Sequence, residues 1–222
     1  IGSGERGNLP FISSLAKHDL PLVLSTGMYE QSHVMSTLDA IETAGCNEVA
    51  LLHCVTSYPT PINQVNLGAI ATLRSFFPGP VGYSDHTEGY HALVAAVALG
   101  ANILEKHISL DFNVPNAQDW KVSAGPHNLK KIISRVRETE QSLGDGILQV
   151  APCEEEALGW ALKRLVAKRD LEPGTRLTMQ DFSLKRAGSE GILASEVSSV
   201  LNRELLSFVS KDVPLLWQDI KS

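Results

Sequence analysis

Two short apolar segments, each ending in a histidine, carry the clearest chemical signal in this sequence. Val81-Gly-Tyr-Ser-Asp-His86-Thr reads as a strand that runs into ionisable side chains, and Ile103-Leu-Glu-Lys-His107 reads the same way one unit later. In a parallel β/α barrel, consecutive strands deliver their last residues to one rim, where chemistry sits. Imidazoles from two adjacent strands can hold one divalent cation there and leave positions open for substrate. Either histidine alone would serve equally well as a buried, hydrogen-bonded core residue. Their matched placement, with Asp85 and Lys106 alongside, favours the paired metal role.

The elements that must position these residues repeat as strand, polar loop, helix. Pro21 to Gly27 is an apolar strand ending in Ser-Thr-Gly, followed by helix to about Ala44 and a stop at Gly45. Glu48 to Cys54 is the next strand, its loop carries Thr56-Ser-Tyr-Pro-Thr-Pro61, and a helix follows around Leu67 to Phe77. The Ala92 to Gly100 run lies between the two histidine strands, and Asn128 to Leu143 is a closing helix. Near-continuous apolar strands alternating with helices predict a parallel sheet buried on both faces. Ile1-Gly-Ser-Gly reads as the tail of a further strand, which makes about five of the eight strands of a TIM barrel. A doubly wound dinucleotide fold is less apt, because no Gly-x-Gly-x-x-Gly follows a first strand.

Residues 146–158 read as a linker with an acidic patch, Glu154 to Glu156. Beyond it the rhythm changes to short strands and Pro-Gly turns, predicting a small β-rich domain over residues 159–222 behind a barrel portion over residues 1–145. The net charge is −6, so there is no footprint for nucleic acid or an anionic membrane. No apolar run is long enough to span a bilayer, and no signal-peptide pattern opens the chain. Three cysteines without metal-ligand spacing suit a reducing cytoplasm. Cys54 is expected to be packed rather than nucleophilic, because nothing in the sequence supplies its base.

These motifs together resemble one family, the sialic acid (N-acetylneuraminate) synthases, with the pseudaminic and legionaminic acid synthases and the spore-coat polysaccharide biosynthesis proteins. The residues that carry the resemblance are Ile1-Gly-Ser-Gly, Leu24-Ser-Thr-Gly-Met28, Leu52-His-Cys, Tyr58-Pro-Thr-Pro61, Gly82-Tyr-Ser-Asp-His-Thr87, Glu105-Lys-His107 and Lys185-Arg186. They span nearly the whole chain in the family's order, and the tail from Leu165 resembles the antifreeze-like SAF domain. The resemblance implies condensation of phosphoenolpyruvate with an N-acylated amino-sugar aldehyde, assisted by a divalent metal, Mn²⁺ or Mg²⁺. It implies that His86 and His107 bind the metal, and that Ser3, Ser25 and Ser84 hold phosphoenolpyruvate. Thr56 and Tyr58 then lie near the sugar, and Asp119 binds its hydroxyls. Arg186 is implied to reach the active site of a partner subunit, in a domain-swapped homodimer. These residue types suit the chemistry, since an enol phosphate needs several donors at one rim and a guanidinium presents a planar fork.

The sequence departs from the family pattern in places. The loop after the second histidine is Pro115-Asn-Ala-Gln-Asp119-Trp120, with tryptophan where the family has histidine. Thr56 stands where some members have asparagine, and Ala187 replaces a proline. The first three barrel strands, with a glutamate and two lysines of the usual site, are expected upstream of Ile1, and without them the piece is expected to be inactive. Two other functions fit the same residues: a metal-dependent aldolase or other phosphoenolpyruvate synthase on the same fold, and a non-catalytic carbohydrate-binding or assembly module.

Overall fold

A computed structural model of the chain describes residues 1–115, 117 and 119–221. Asn116 and Gln118, in the loop that departs from the family pattern, lie outside the described residues. The chain divides into two compact units, Ile1–Gly146 and Ile147–Ser222.

In the first unit, helix α1 (Leu9–Ala16) precedes four βα repeats: β1 (Leu22–Ser25), α2 (Gln31–Thr43), β2 (Val49–Cys54), α3 (Ala69–Phe76), β3 (Val81–Asp85), α4 (His91–Ala98), β4 (Leu104–Lys106) and α5 (Leu129–Leu143). The strands pair in sequence order and all pairs are parallel. A parallel ladder in sequence order, with a helix after each strand, is a segment of a TIM barrel. All strand C-termini therefore lie along one edge, which is what the site requires.

Side-chain alternation explains the layering. Leu24, Leu51, Val81 and Tyr83 point to the helical side and are buried with Val34 of α2, Ile70 and Leu73 of α3, Leu93 and Ala96 of α4 and Ile132 of α5. Each such aliphatic side chain contributes about 1.5–3 kcal/mol on burial. The intervening residues, among them Ser25, Cys54 and Ser84, lie on the concave face. Gly82 shows how tightly the ladder closes, since a Cβ there would sit 2.2 Å from the Ile103 carbonyl oxygen of the neighbouring strand.

The expected strand stub at the N-terminus is shorter than the sequence suggests. Ile1 does join the ladder beside β1: its nitrogen donates to the Val23 carbonyl (2.7 Å) and its carbonyl accepts the Ser25 N–H (3.0 Å). The chain then turns into a 3-10 helix at Ser3–Glu5, because the Ser3 hydroxyl accepts the Gly27 N–H (2.9 Å) and draws the backbone away from the strand direction. Among the described residues the first unit thus has four strands and a one-residue extension in place of five strands. A second extension at the other side was not legible: Ala124 bridges Ile108 in parallel, its N–H donating to the His107 carbonyl (2.7 Å).

In the second unit, β5 (Arg164–Ala167) pairs antiparallel with β6 (Phe182–Lys185), with helices α6 (Glu155–Ala161) and α7 (Val197–Val200). Leu165, Leu171, Leu177, Phe182, Ile192 and Leu215 fill its core. The segment read as linker holds a 3-10 turn at Pro152–Glu154 and the first turn of α6.

Candidate active site at the strand ends

Three aromatic rings meet where β2, β3 and β4 end. The His86 and His107 ring centroids are 5.1 Å apart, edge to face. The Tyr58 ring tilts over His86 at 4.2 Å and meets His107 edge-on at 5.5 Å. The β2–α3 loop that carries Tyr58 is tied to His86 from both sides. His86 Nδ1–H donates to the Val55 carbonyl (2.8 Å), and the Thr60 N–H donates to the His86 carbonyl (2.8 Å).

That bond settles the tautomer of His86. With the proton on Nδ1, the Nε2 lone pair is free to bind a cation or accept a proton. Burial pushes the His86 pKa below its ordinary value, an effect opposed by the Val55 bond, so the ring is neutral at pH 7. His107 is more open, with its side chain 30% exposed, and its Nδ1 lies 3.6 Å from Asp119 Oδ2. Asp119 stands in a 3-10 turn, Asp119–Val122, whose fold-back places it there.

A second cluster adjoins the rings. The Ser3 hydroxyl accepts the Gly27 N–H and so keeps its own proton available as a donor. A Cβ on Gly27 would lie 2.3 Å from Thr56 Oγ1 and 2.7 Å from Ser3 Oγ, so glycine is what lets these hydroxyls converge. Ser84 donates to Glu105 Oε1 (2.6 Å). Ser25 is buried on the same concave face, by alternation from Leu24. Cys54 Sγ lies 3.6 Å from His86 Nδ1, between the two clusters. Burial raises the Cys54 pKa, an effect that the neighbouring Ser3 and Ser84 hydroxyls oppose. The thiol therefore stays protonated, in keeping with a packed rather than nucleophilic role.

Of the residues singled out in the sequence, Ser3, Thr56, Tyr58, Ser84, His86, His107 and Asp119 come together at this end, with Ser25 at the end of β1. Arg186 belongs to the second unit, where its guanidinium carbon lies 5.4 Å from the Trp160 ring centroid. Two participants were missed. Glu105 shares the concave face with His107 because they are two residues apart on a strand, a signal that the Glu-Lys-His spacing did contain. Gly27 was visible in the Leu24-Ser-Thr-Gly-Met28 motif, but its role was not, because that role is to be small beside residues distant in sequence.

The helical side of the same strands holds another histidine. His53 is buried, and its Nε2–H donates to the Val65 carbonyl (2.7 Å). Burial lowers its pKa, so below about pH 6.5 the unfolded chain binds a proton that the folded chain refuses. This contribution to stability is present above that pH and is lost as the pH falls through it. Urea midpoints should therefore drop between pH 7.5 and 5.5, and His53→Gln should flatten that slope; an unchanged slope in the variant would assign the proton uptake to other groups.

Among the described residues, no group of three or more His, Cys, Asp or Glu side chains gathers tightly enough to hold an ion alone. No helix in them is long and apolar enough to cross a membrane. The NeuB family model matches residues 1–148, and the SAF domain model matches residues 163–221. The N,N'-diacetyllegionaminic acid synthase of Campylobacter jejuni is 38% identical over 205 residues, covering 91% of this chain and 61% of that protein. The crystal structure of the N-acetylneuraminic acid synthetase of Leptospira borgpetersenii, in complex with citrate, superposes with a TM-score of 0.64 at 34% identity, covering 71% of this chain and 54% of that one. The spore coat polysaccharide biosynthesis protein of Bacillus subtilis superposes with a TM-score of 0.61 at 28% identity, covering all of this chain and 67% of that one. This chain spans 61–65% of the length of the first curated relatives it matches.

Proposed function

The chain belongs to the NeuB family and carries a SAF domain, and from that premise we propose that the protein of which it forms part condenses phosphoenolpyruvate with an N-acylated amino-sugar aldehyde. The products are a nonulosonic acid and inorganic phosphate. The observation that carries this reading is the pair of imidazoles, 5.1 Å apart, beside a row of hydroxyls at one end of a parallel sheet.

His86 Nε2 and a nitrogen of His107 would hold a divalent ion, with water and substrate oxygens completing the set. The donor set fits: His86 is neutral, its other nitrogen is already hydrogen-bonded, and the His107 ring stands edge-to-face beside it at 5.1 Å. Imidazole nitrogen favours a Mn²⁺-type ion over Mg²⁺, which prefers oxygen. When bound, such an ion polarises the aldehyde oxygen.

The chain's own residues do the rest. Ser3, Ser25 and Ser84 hold the phosphate and carboxylate of phosphoenolpyruvate, Ser84 by turning its proton from Glu105 Oε1 to the ligand, and Thr56 lies beside Ser3. Tyr58 covers the His86 ring and closes one side of the mouth. Burial raises the Tyr58 pKa, so its phenol remains a donor at neutral pH. Asp119 orients His107 through Nδ1 and receives sugar hydroxyls. The SAF domain brings Arg186 of a second subunit to the sugar, in a domain-swapped dimer with a cytoplasmic location. Residues 1–145 supply the barrel portion, residues 159–222 the SAF domain and residues 146–158 the connection.

The test is phosphate release by the full-length protein from phosphoenolpyruvate, with Mn²⁺ and a panel of N-acylated amino sugars. We expect stoichiometric phosphate and nonulosonic acid with at least one sugar. Phosphate release that follows simple or phosphorylated aldoses instead would move the protein to another class of phosphoenolpyruvate synthase.

A further inference from the structure

Behind the sheet, on the side away from the imidazoles, lies a buried ion pair that the reaction itself does not use. Lys106 Nζ contacts Asp85 Oδ2 at 2.8 Å, with side-chain exposures of 9% and 0%. Asp85 directly precedes His86, and Lys106 directly precedes His107. Alternation sends the histidines to the concave face and their neighbours to the helical side. Asp85 and Lys106 are also the last paired residues of the β3–β4 ladder, so both imidazoles sit just beyond the final interstrand backbone bonds.

The pair continues the ladder with side chains. Asp85 Oδ1 accepts the Tyr83 hydroxyl (3.0 Å) and the Thr87 N–H (2.9 Å). Lys106 Nζ donates to the Thr87 carbonyl as well (2.6 Å). The residues on either side of His86 are thereby bound to one ammonium group, which is carried by the residue before His107.

We propose that Lys106 and Asp85 are positioning residues that set the separation of the His86 and His107 rings. The metal consequence rests on the function proposed above; the geometric one does not. Severing the pair lets the two strand ends move independently, and two ligands delivered from independent ends bind a cation less well.

The experiment uses the full-length protein, its Lys106→Met variant and the double variant Asp85→Asn/Lys106→Met. The double variant leaves no unpaired buried charge, so it keeps the question open to test if the single variant does not fold. The first readout is the nuclear Overhauser contact between the His86 and His107 ring protons, which needs no metal. It should be present in the parent protein and lost in folded variants. The second is calorimetric titration with Mn²⁺, where affinity should fall by about 10–100-fold, the range for outer-shell partners of metal ligands. Folded variants that keep the ring contact and bind Mn²⁺ within about threefold of the parent would overturn the proposal. A parent protein that shows the ring contact but binds no Mn²⁺ would count against the metal reading alone, and the ring contact would still decide the positioning role.

Discussion

In the full-length protein, His107→Ala is expected to abolish metal-dependent turnover while leaving the fold intact. The choice of histidine follows from their surroundings. His86 is 5% exposed and bonded to the Val55 carbonyl, so its removal also strips a buried bond from the β2–α3 loop. The His107 side chain is 30% exposed and contacts Asp119 at 3.6 Å, so its truncation costs the core little. If the proposed site is right, the variant loses one of two protein ligands. Mn²⁺ affinity should fall on the order of a hundredfold or more, since even outer-shell changes cost 10–100-fold. Polarisation of the aldehyde is worth several kcal/mol, so turnover at saturating metal should drop by about 10³-fold or more. The checks are phosphate-release kinetics across a Mn²⁺ titration, with circular dichroism to confirm the fold. A folded variant that keeps wild-type turnover and metal affinity would take the imidazole pair out of the mechanism.

Mixing two inactive full-length variants, Arg186→Ala and His107→Ala, should restore activity. Arg186 is exposed in the second unit and lies over the Trp160 ring, without a carboxylate partner among the described ion pairs. A guanidinium held on an aromatic face keeps its planar donors available for a ligand. Alone, Arg186→Ala should lower turnover on the order of a hundredfold, the value of a hydrogen bond to a charged group. If the SAF domain serves a neighbouring subunit, each mixed dimer holds one intact site. Random exchange then returns about one quarter of wild-type activity. Size-exclusion chromatography of differently tagged subunits verifies the exchange. Proven exchange with no recovery would place Arg186 within its own subunit's site or outside catalysis.

The sequence was most legible where one strand's own residues carry the signal. The apolar strands, their order and their polar ends could be read from composition and spacing, because a parallel strand buried on both faces must be apolar along its length. The histidines and serines were likewise visible as strand ends. Even the pairing of Glu105 with His107 on one face follows from a period of two, although its bond to Ser84 does not.

What only the tertiary structure decided is everything that depends on two distant segments meeting. The shortening of the first strand to Ile1 follows from Ser3 reaching Gly27, a contact across 24 positions. The bridge between Ile108 and Ala124 at the other flank joins residues on either side of a long loop. The His86 tautomer is set by Val55, 31 positions away, and the ring spacing by strands whose register no single segment encodes. Asp85 and Lys106 look like two more polar rim residues in the sequence; alternation and burial turn them into a buried tie behind the sheet. Local sequence specifies which way a side chain points along its own strand, whereas the partner it meets there depends on register, curvature and burial, which arise only when the strands pack.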